Sequence, residues 1–464
     1  MPGNGLFGRL FGSPAVDREI GEHAWLQALL DAERSLAAAQ ARAGLIPAAA
    51  AAAIAECCSA DRFDAANLGG QALATGNPVV PLVRELRAIA PAQAEQYVHL
   101  GATSQDILDT AMMLVTWRAL GPLTEDLWSA AGRCAELAAE HAGTVMAGRT
   151  LLQQALPITF GLKCAGWLVA LDEAANALAA IRASRLAVQL GGAAGTLASL
   201  GEGGHAALGL LAEELPLAEP VLPWHTNRTR VAEVGCALGV ASGALAKIAL
   251  DVLLLAQTEV AEARAAGDRG RGGSSTLPHK QNPVDAVLIA SAGKRVPGLV
   301  ATLLAVMPQE HERAAGGWHA EWDTLTEIVR LTGGAAAHAR QMLASLRVDV
   351  ARMGGNVGMT DGMIMAESVV ARLAPALGRG AAQDLVTRVC ADAAKSGRPV
   401  REALLAERDI ARHLSASDLD AALDPGSYLG SAARFIDRAL ASHARDRQRH
   451  QAPAERDDDD RGPA

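Results

Sequence analysis

Between Val231 and Leu255 apolar residues recur at Val231, Val234, Leu238, Ala241, Leu245, Ile248, Val252 and Leu255, in steps of 3, 4, 3, 4, 3, 4 and 3. An unbroken heptad seam of this length is compatible with one long helix and with little else. Gly235, Ala237, Gly239, Ala241, Ser242 and Gly243 lie on or beside the seam, and such small residues let neighbouring helices approach closely, so more than one face should be buried. At about 1.5 Å per residue the helix outruns the radius of a compact domain. Its seam is therefore expected to pack against equivalent helices of other subunits.

The rest of the chain supports an all-α fold. Half of the 464 residues are hydrophobic, with alanine dominant and only 3% aromatic. Alanine favours helix, whereas strands favour β-branched and aromatic residues. Further long helices are expected over about 107–143 and 158–189, and from Pro283 to about Val306 with a kink at Pro297. Together they describe a central elongated bundle. Shorter helices are expected over 24–43 and 48–58, and again after a Gly-rich break at 354–358. The division expected is an N-terminal helical domain (1–106), a central long-helix bundle (107–347), a C-terminal helical domain (348–445) and a disordered charged tail (446–464).

A net charge of −9 argues against a nucleic-acid binder, which would carry a basic face; small anionic substrates need only a local cluster of cations. Cys57, Cys58, Cys134, Cys164, Cys236 and Cys390 form no metal-like spacing and read as reduced thiols. Met1–Arg18 lacks the basic, apolar and small-residue succession of a signal peptide. The most membrane-like stretch, 237–257, contains Lys247 and Asp251, which are costly in lipid. The expectation is a soluble, cytoplasmic protein with no membrane partner.

Chemistry concentrates in three segments. Gly272-Gly273-Ser274-Ser275-Thr276-Leu277-Pro278-His279-Lys280-Gln281-Asn282-Pro283 is a Gly/Ser loop with hydroxyls, a cation six residues after the first serine, and an amide just beyond. Pro283 can open the next helix, where its missing N–H does no harm. His99-Leu100-Gly101-Ala102-Thr103-Ser104-Gln105-Asp106 ends in hydroxyls at a predicted helix start, where orphan N–H groups attract anions; an ordinary helix cap is the alternative. Gly148-Arg149-Thr150-Leu151-Leu152-Gln153-Gln154-Ala155-Leu156-Pro157 is the third.

The first of these segments matches the signature G-S-S-x-x-P-x-K-x-N of the fumarase/aspartase superfamily, and the other two resemble its remaining conserved blocks. Stretches 192–197, 223–226 and 309–322 resemble its carboxymuconate cycloisomerase branch. The resemblance implies a homotetramer in which active sites are shared between subunits, a small tricarboxylate substrate, a lactone-forming reaction and no cofactor or metal. It makes Ser274, on catalytic loop 267–283, the base that moves a proton α to a carboxylate. Substrate contacts are implied for Asn77, Thr103, Ser104, Gln105, Thr150, Gln153, His225, Lys280, Asn282 and Arg313. A serine base requires a dry site with N–H groups and a cation to stabilise the alkoxide.

One position departs from the pattern. Amine-eliminating relatives carry G-x-T-H-L-Q, with a histidine that helps protonate the leaving group; here that position is Leu151. An amine or hydroxide must gain a proton to leave, but a carboxylate is the anion of an acid with a pKa near about 3.5. Leu151 therefore fits an anionic leaving group, as in lactone chemistry or a nitrite-expelling nitrosuccinate lyase. A non-catalytic structural homologue is the rival from another class, disfavoured by the intact Ser274, Lys280 and Asn282. The string 201–206 imitates a dinucleotide motif but follows no strand, and His311, His319 and Glu321 match no zinc spacing.

Overall fold

The computed structural model describes residues 6–265, 272, 273, 277 and 280–451. Ser274 and most of loop 267–283, together with 452–464 of the expected tail, lie outside the described residues. The fold is all-α. Long helices run over Glu22–Arg42, Ser104–Glu140, Phe160–Ser184, Thr229–Leu255, Val284–Ala305 and Gly317–Ala344. The chain forms two compact units, one from Met1–Trp128, Glu173–Ala249 and Asp285–Gln341, the other from Ser129–Asp172, Leu250–Val284 and Met342–Ala464.

The heptad seam forms a helix as expected, but it does not face other subunits. All eight seam residues are buried within this chain, at no more than 4% exposure. In the first unit the small residues explain how. A Cβ on Gly235 would lie 2.5 Å from Leu303 Cδ1, and one on Gly293 would lie 2.4 Å from Ala246 Cβ. The Thr229–Leu255 and Val284–Ala305 helices thus approach at glycine distance. What remains outside is a second stripe, Val240, Gly243, Lys247 and Leu250, also spaced 3, 4 and 3 and exposed. This stripe, not the seam, is the exposed side of the helix.

Three helices (Phe160–Ser184, Thr229–Leu255, Val284–Ala305) are long and apolar enough to cross a membrane by length and composition alone. Of the two charges inside the most apolar stretch, Asp251 accepts a 2.7 Å hydrogen bond from Trp167 Nε1 within the second unit.

Other departures have local causes. Pro297 sits inside Val284–Ala305 without ending it. The glycines at 354–358 are helical, not a break: Asp349 caps Val350–Gly358 by accepting from Arg352 N, and Met353, Asn356 and Val357 are buried. Burial of that face outweighs the low helix propensity of glycine. Residues 446–451, expected in the tail, belong to the Ala432–Gln451 helix. Two small antiparallel sheets were not anticipated: β1 (Val145–Thr150) pairs with β2 (Gln153–Thr159), and β3 (Ala263–Ala265) with β4 (Leu346–Val348).

Candidate active site

In the first unit the site is organised by a carboxylate. Asp106, fully buried, receives four hydrogen bonds: Thr103 N at 2.9 Å, Gly191 N at 2.9 Å, Gly192 N at 2.9 Å and His225 Nε2 at 2.6 Å. One side chain therefore holds the entry to the Ser104–Glu140 helix, the turn at 191–192 and the 223–226 stretch. Thr103 and Ser104 are half-buried at that helix start.

His225 and Gln105, expected as substrate contacts, are both buried here. His225 is buried with its ring on Asp106. Gln105 is fully buried, its amide donating to Asp109 and to the His225 carbonyl while its oxygen accepts from Arg313 Nη1 at 3.0 Å. Both act by holding other groups. Arg313 also donates through Nη2 to the carbonyls of Gly192 and Ala193. These acceptors are all neutral, and they take three of its five N–H groups. Asn77 Oδ1 accepts from Val79 N and Val80 N, so it caps the Val79–Ile89 helix.

Beneath this layer Arg228 is wholly buried between two carboxylates. It donates to Asp109 at 2.7 and 3.0 Å and to Glu321 at 2.5, 3.0 and 3.1 Å. Trp318 Nε1 also donates to Asp109. Burial alone would lower the Arg228 pKa, but Asp109 and Glu321 more than reverse this and hold it above its ordinary value. Glu321 is therefore committed to an ion pair and not to a metal; among the described residues no His/Cys/Asp/Glu group could hold one.

The segment leading into Thr103 carries a titrating pair. His99 Nδ1 lies 2.6 Å from Glu33 Oε1. Burial would depress the imidazole pKa, but the Glu33 charge and hydrogen bond outweigh it, leaving the pKa above 6.5. A histidine raised in the folded state stabilises fully below its unfolded pKa, and the contribution fades as pH rises through the folded value. Urea midpoints should therefore fall from pH 6 towards pH 9, and Glu33→Gln should flatten that slope; an unchanged slope would count against the pair.

The second unit, described by itself, holds the other candidate residues. Thr150 and Gln153 are the last paired positions of the β1–β2 hairpin and are exposed. The two-residue turn between them is Leu151 at φ 50° and Leu152 at φ 64°. Such a turn normally takes Asn-Gly, and left-handed backbone at a non-glycine residue costs about 1–2 kcal/mol. Leu151, at the position of the relatives' histidine, is 97% exposed in this chain, and Leu152 78%. Below the tip Arg149 makes a bidentate pair with the fully buried Glu262 at 2.6 and 2.9 Å. Asn356 Nδ2 donates to the same carboxylate, which ties the hairpin to the backbone just ahead of β3.

The neck of the Gly/Ser loop is closed. Gly273 bridges Gln281, and Asn282 N donates to Gly272 O at 2.8 Å. Gly272 has φ 76°, and a Cβ there would meet the Asn282 carbonyl oxygen at 2.5 Å, so only glycine fits. Lys280 and Asn282 are exposed at this neck, and Ser274 lies beyond it, outside the described residues.

These features define the class. The chain belongs to the fumarase/aspartase lyase superfamily: the lyase family profile matches residues 14–298, and that of the adenylosuccinate lyase C-terminus matches 362–439. It is 45% identical to a 3-carboxy-cis,cis-muconate cycloisomerase of Pseudomonas aeruginosa, over 96% of this chain and 97% of that one. It is also 45% identical to a nitrosuccinate lyase of Streptomyces davaonensis, over 94% of each. The crystal structure of 3-carboxy-cis,cis-muconate lactonizing enzyme from Pseudomonas putida superposes with a TM-score of 0.91 at 43% identity, covering 96% of this chain and all of that one.

Asp106 and Asp109, both buried and just ahead of the apolar run 111–115, were the signal for the organising residues. Three-residue spacing puts both on one helix face, where only a polar interior can accommodate them.

Proposed function

We propose that this chain interconverts 3-carboxy-cis,cis-muconate and 4-carboxymuconolactone as an intramolecular lyase. In the direction of addition, one substrate carboxylate oxygen bonds to a conjugated carbon and Ser274 delivers the proton to the carbon beside another carboxylate. Lys280 and Asn282 hold carboxylate at the loop neck, with Thr103, Ser104 and Thr150 as further contacts. The observation that carries this reading is the hairpin tip: Thr150-Leu151-Leu152-Gln153 has no titratable side chain. A lactone carboxylate can leave without one. The likeness to a nitrosuccinate lyase over 94% of the chain supports a second reading, a lyase expelling nitrite, which also leaves as a weak-acid anion.

A homotetramer with shared sites accompanies the proposal. A strained turn that presents two leucines to solvent gains nothing within one chain, and the exposed Val240 and Leu250 add apolar surface for association. We further propose a cytoplasmic enzyme that needs no cofactor. The test is a panel of substrates given to the unmodified protein. Carboxymuconate should turn over, and argininosuccinate, adenylosuccinate and malate should give no measurable product. Efficient release of an amine would mean that another residue supplies the proton, and the argument from Leu151 would fail.

A further inference from the structure

Two arginines that none of the conserved blocks contains face a cavity in the first unit. Arg84 and Arg87, three residues apart on the Val79–Ile89 helix, line a space of about 460 Å³ with Val83, Glu95, His99 and Ser104. Residues three apart share a helix face, and like charges there repel. Neither guanidinium is compensated by a carboxylate it touches. Arg84 donates to Gln71 Oε1, which relays to Glu85 through the Gln71 amide at 2.8 Å. Arg87 donates one N–H to the Val98 carbonyl at 3.0 Å, which leaves most of its donors unused. Glu95 is the single carboxylate on the wall, and His99 is paired with Glu33. The wall is therefore positive, and it includes Ser104, already a substrate contact in the proposed reaction.

We infer that Arg84 and Arg87 bind one carboxylate of the substrate and set the preference for a tricarboxylate. The inference rests on the proposed function and fills a gap in it. Three carboxylates need cations, and Arg313 already gives three of its five N–H groups to Gln105, Gly192 and Ala193. Arg87, with a planar fork largely free, can take a carboxylate through two parallel hydrogen bonds.

The test uses Arg84→Gln, Arg87→Gln and Arg87→Lys in the full chain, with two readouts. One is steady-state turnover of carboxymuconate. The other is protection against heat by tricarballylate, a tricarboxylate that cannot react. Each glutamine variant should raise KM by about 10- to 100-fold, the worth of a hydrogen bond to a charged group, while kcat stays within a few fold. Both should lose tricarballylate protection, Arg87→Lys should retain part of it, and melting without ligand should be unchanged because both side chains are exposed. Wild-type KM and protection in the glutamine variants would overturn the inference. So would a fall in kcat alone, or a wild-type protein that tricarballylate does not protect. If carboxymuconate is not a substrate but protection still depends on Arg84 and Arg87, the carboxylate pocket stands and the proposed function falls.

Discussion

Ser274→Ala is expected to lower kcat by about three orders of magnitude, within the upper range for loss of a general base, with no change in circular dichroism. The size follows from what the hydroxyl must do. A serine oxygen accepts a proton poorly unless its alkoxide is held by N–H donors and a cation. The described neck holds glycine at 272 and 273 and the exposed Lys280, and these are the groups proposed to supply that setting. Ser275→Ala should cost much less. If Ser275 proved the essential residue, the match of the loop to G-S-S-x-x-P-x-K-x-N would be one residue out of register.

Arg228→Met should have the largest effect on stability. Removing one member of a buried ion pair costs about 3–5 kcal/mol, because the partner charge is left without compensation. Here two carboxylates, Asp109 and Glu321, lose their shared cation at once. Burial already raises the Glu321 pKa despite the opposing pull of Arg228, so without the guanidinium this carboxyl should protonate on folding. Stability of the variant should then improve as pH falls, because a raised carboxyl pKa favours the folded state on the acid side. Arg228→Lys should rescue little, since an ammonium cannot serve both carboxylates with a planar fork. Urea denaturation of the three proteins at pH 5 and pH 8 measures this; a loss below about 1 kcal/mol at pH 8, the scale of a surface pair, would contradict the account.

The parts of the fold that were legible in the amino-acid sequence are those written in periodicity. Val231–Leu255 forms a helix because its apolar spacing admits nothing else, and the seam is buried as a seam must be. What spacing could not say was which partner buries it. Gly235, Gly239 and Gly293 were the information that a helix of the same chain comes close enough to do so. The β1–β2 hairpin was invisible because two leucines in left-handed backbone are not turn residues by any local preference.

The site divides in the same way. Ser274, Lys280 and Asn282 were found by their match to a family signature, and Leu151 by its departure from one. A motif names residues such as Gln105 and His225 without the direction in which their side chains point. Their hydrogen bonds show both turned inward, Gln105 onto Asp109 and Arg313, and His225 onto Asp106. Their inward direction was set by acidic residues on an apolar helix face, which must recruit donors from whatever packs against them.

The central claim is that this site moves a carboxylate onto or off carbon. The most direct measurement mixes purified wild-type protein with 3-carboxy-cis,cis-muconate and follows the loss of its conjugated absorbance, with nitrosuccinate in a parallel cell assayed for nitrite. The account predicts rapid loss of carboxymuconate, a lactone as product and little nitrite. Nitrite release with carboxymuconate left untouched would contradict it.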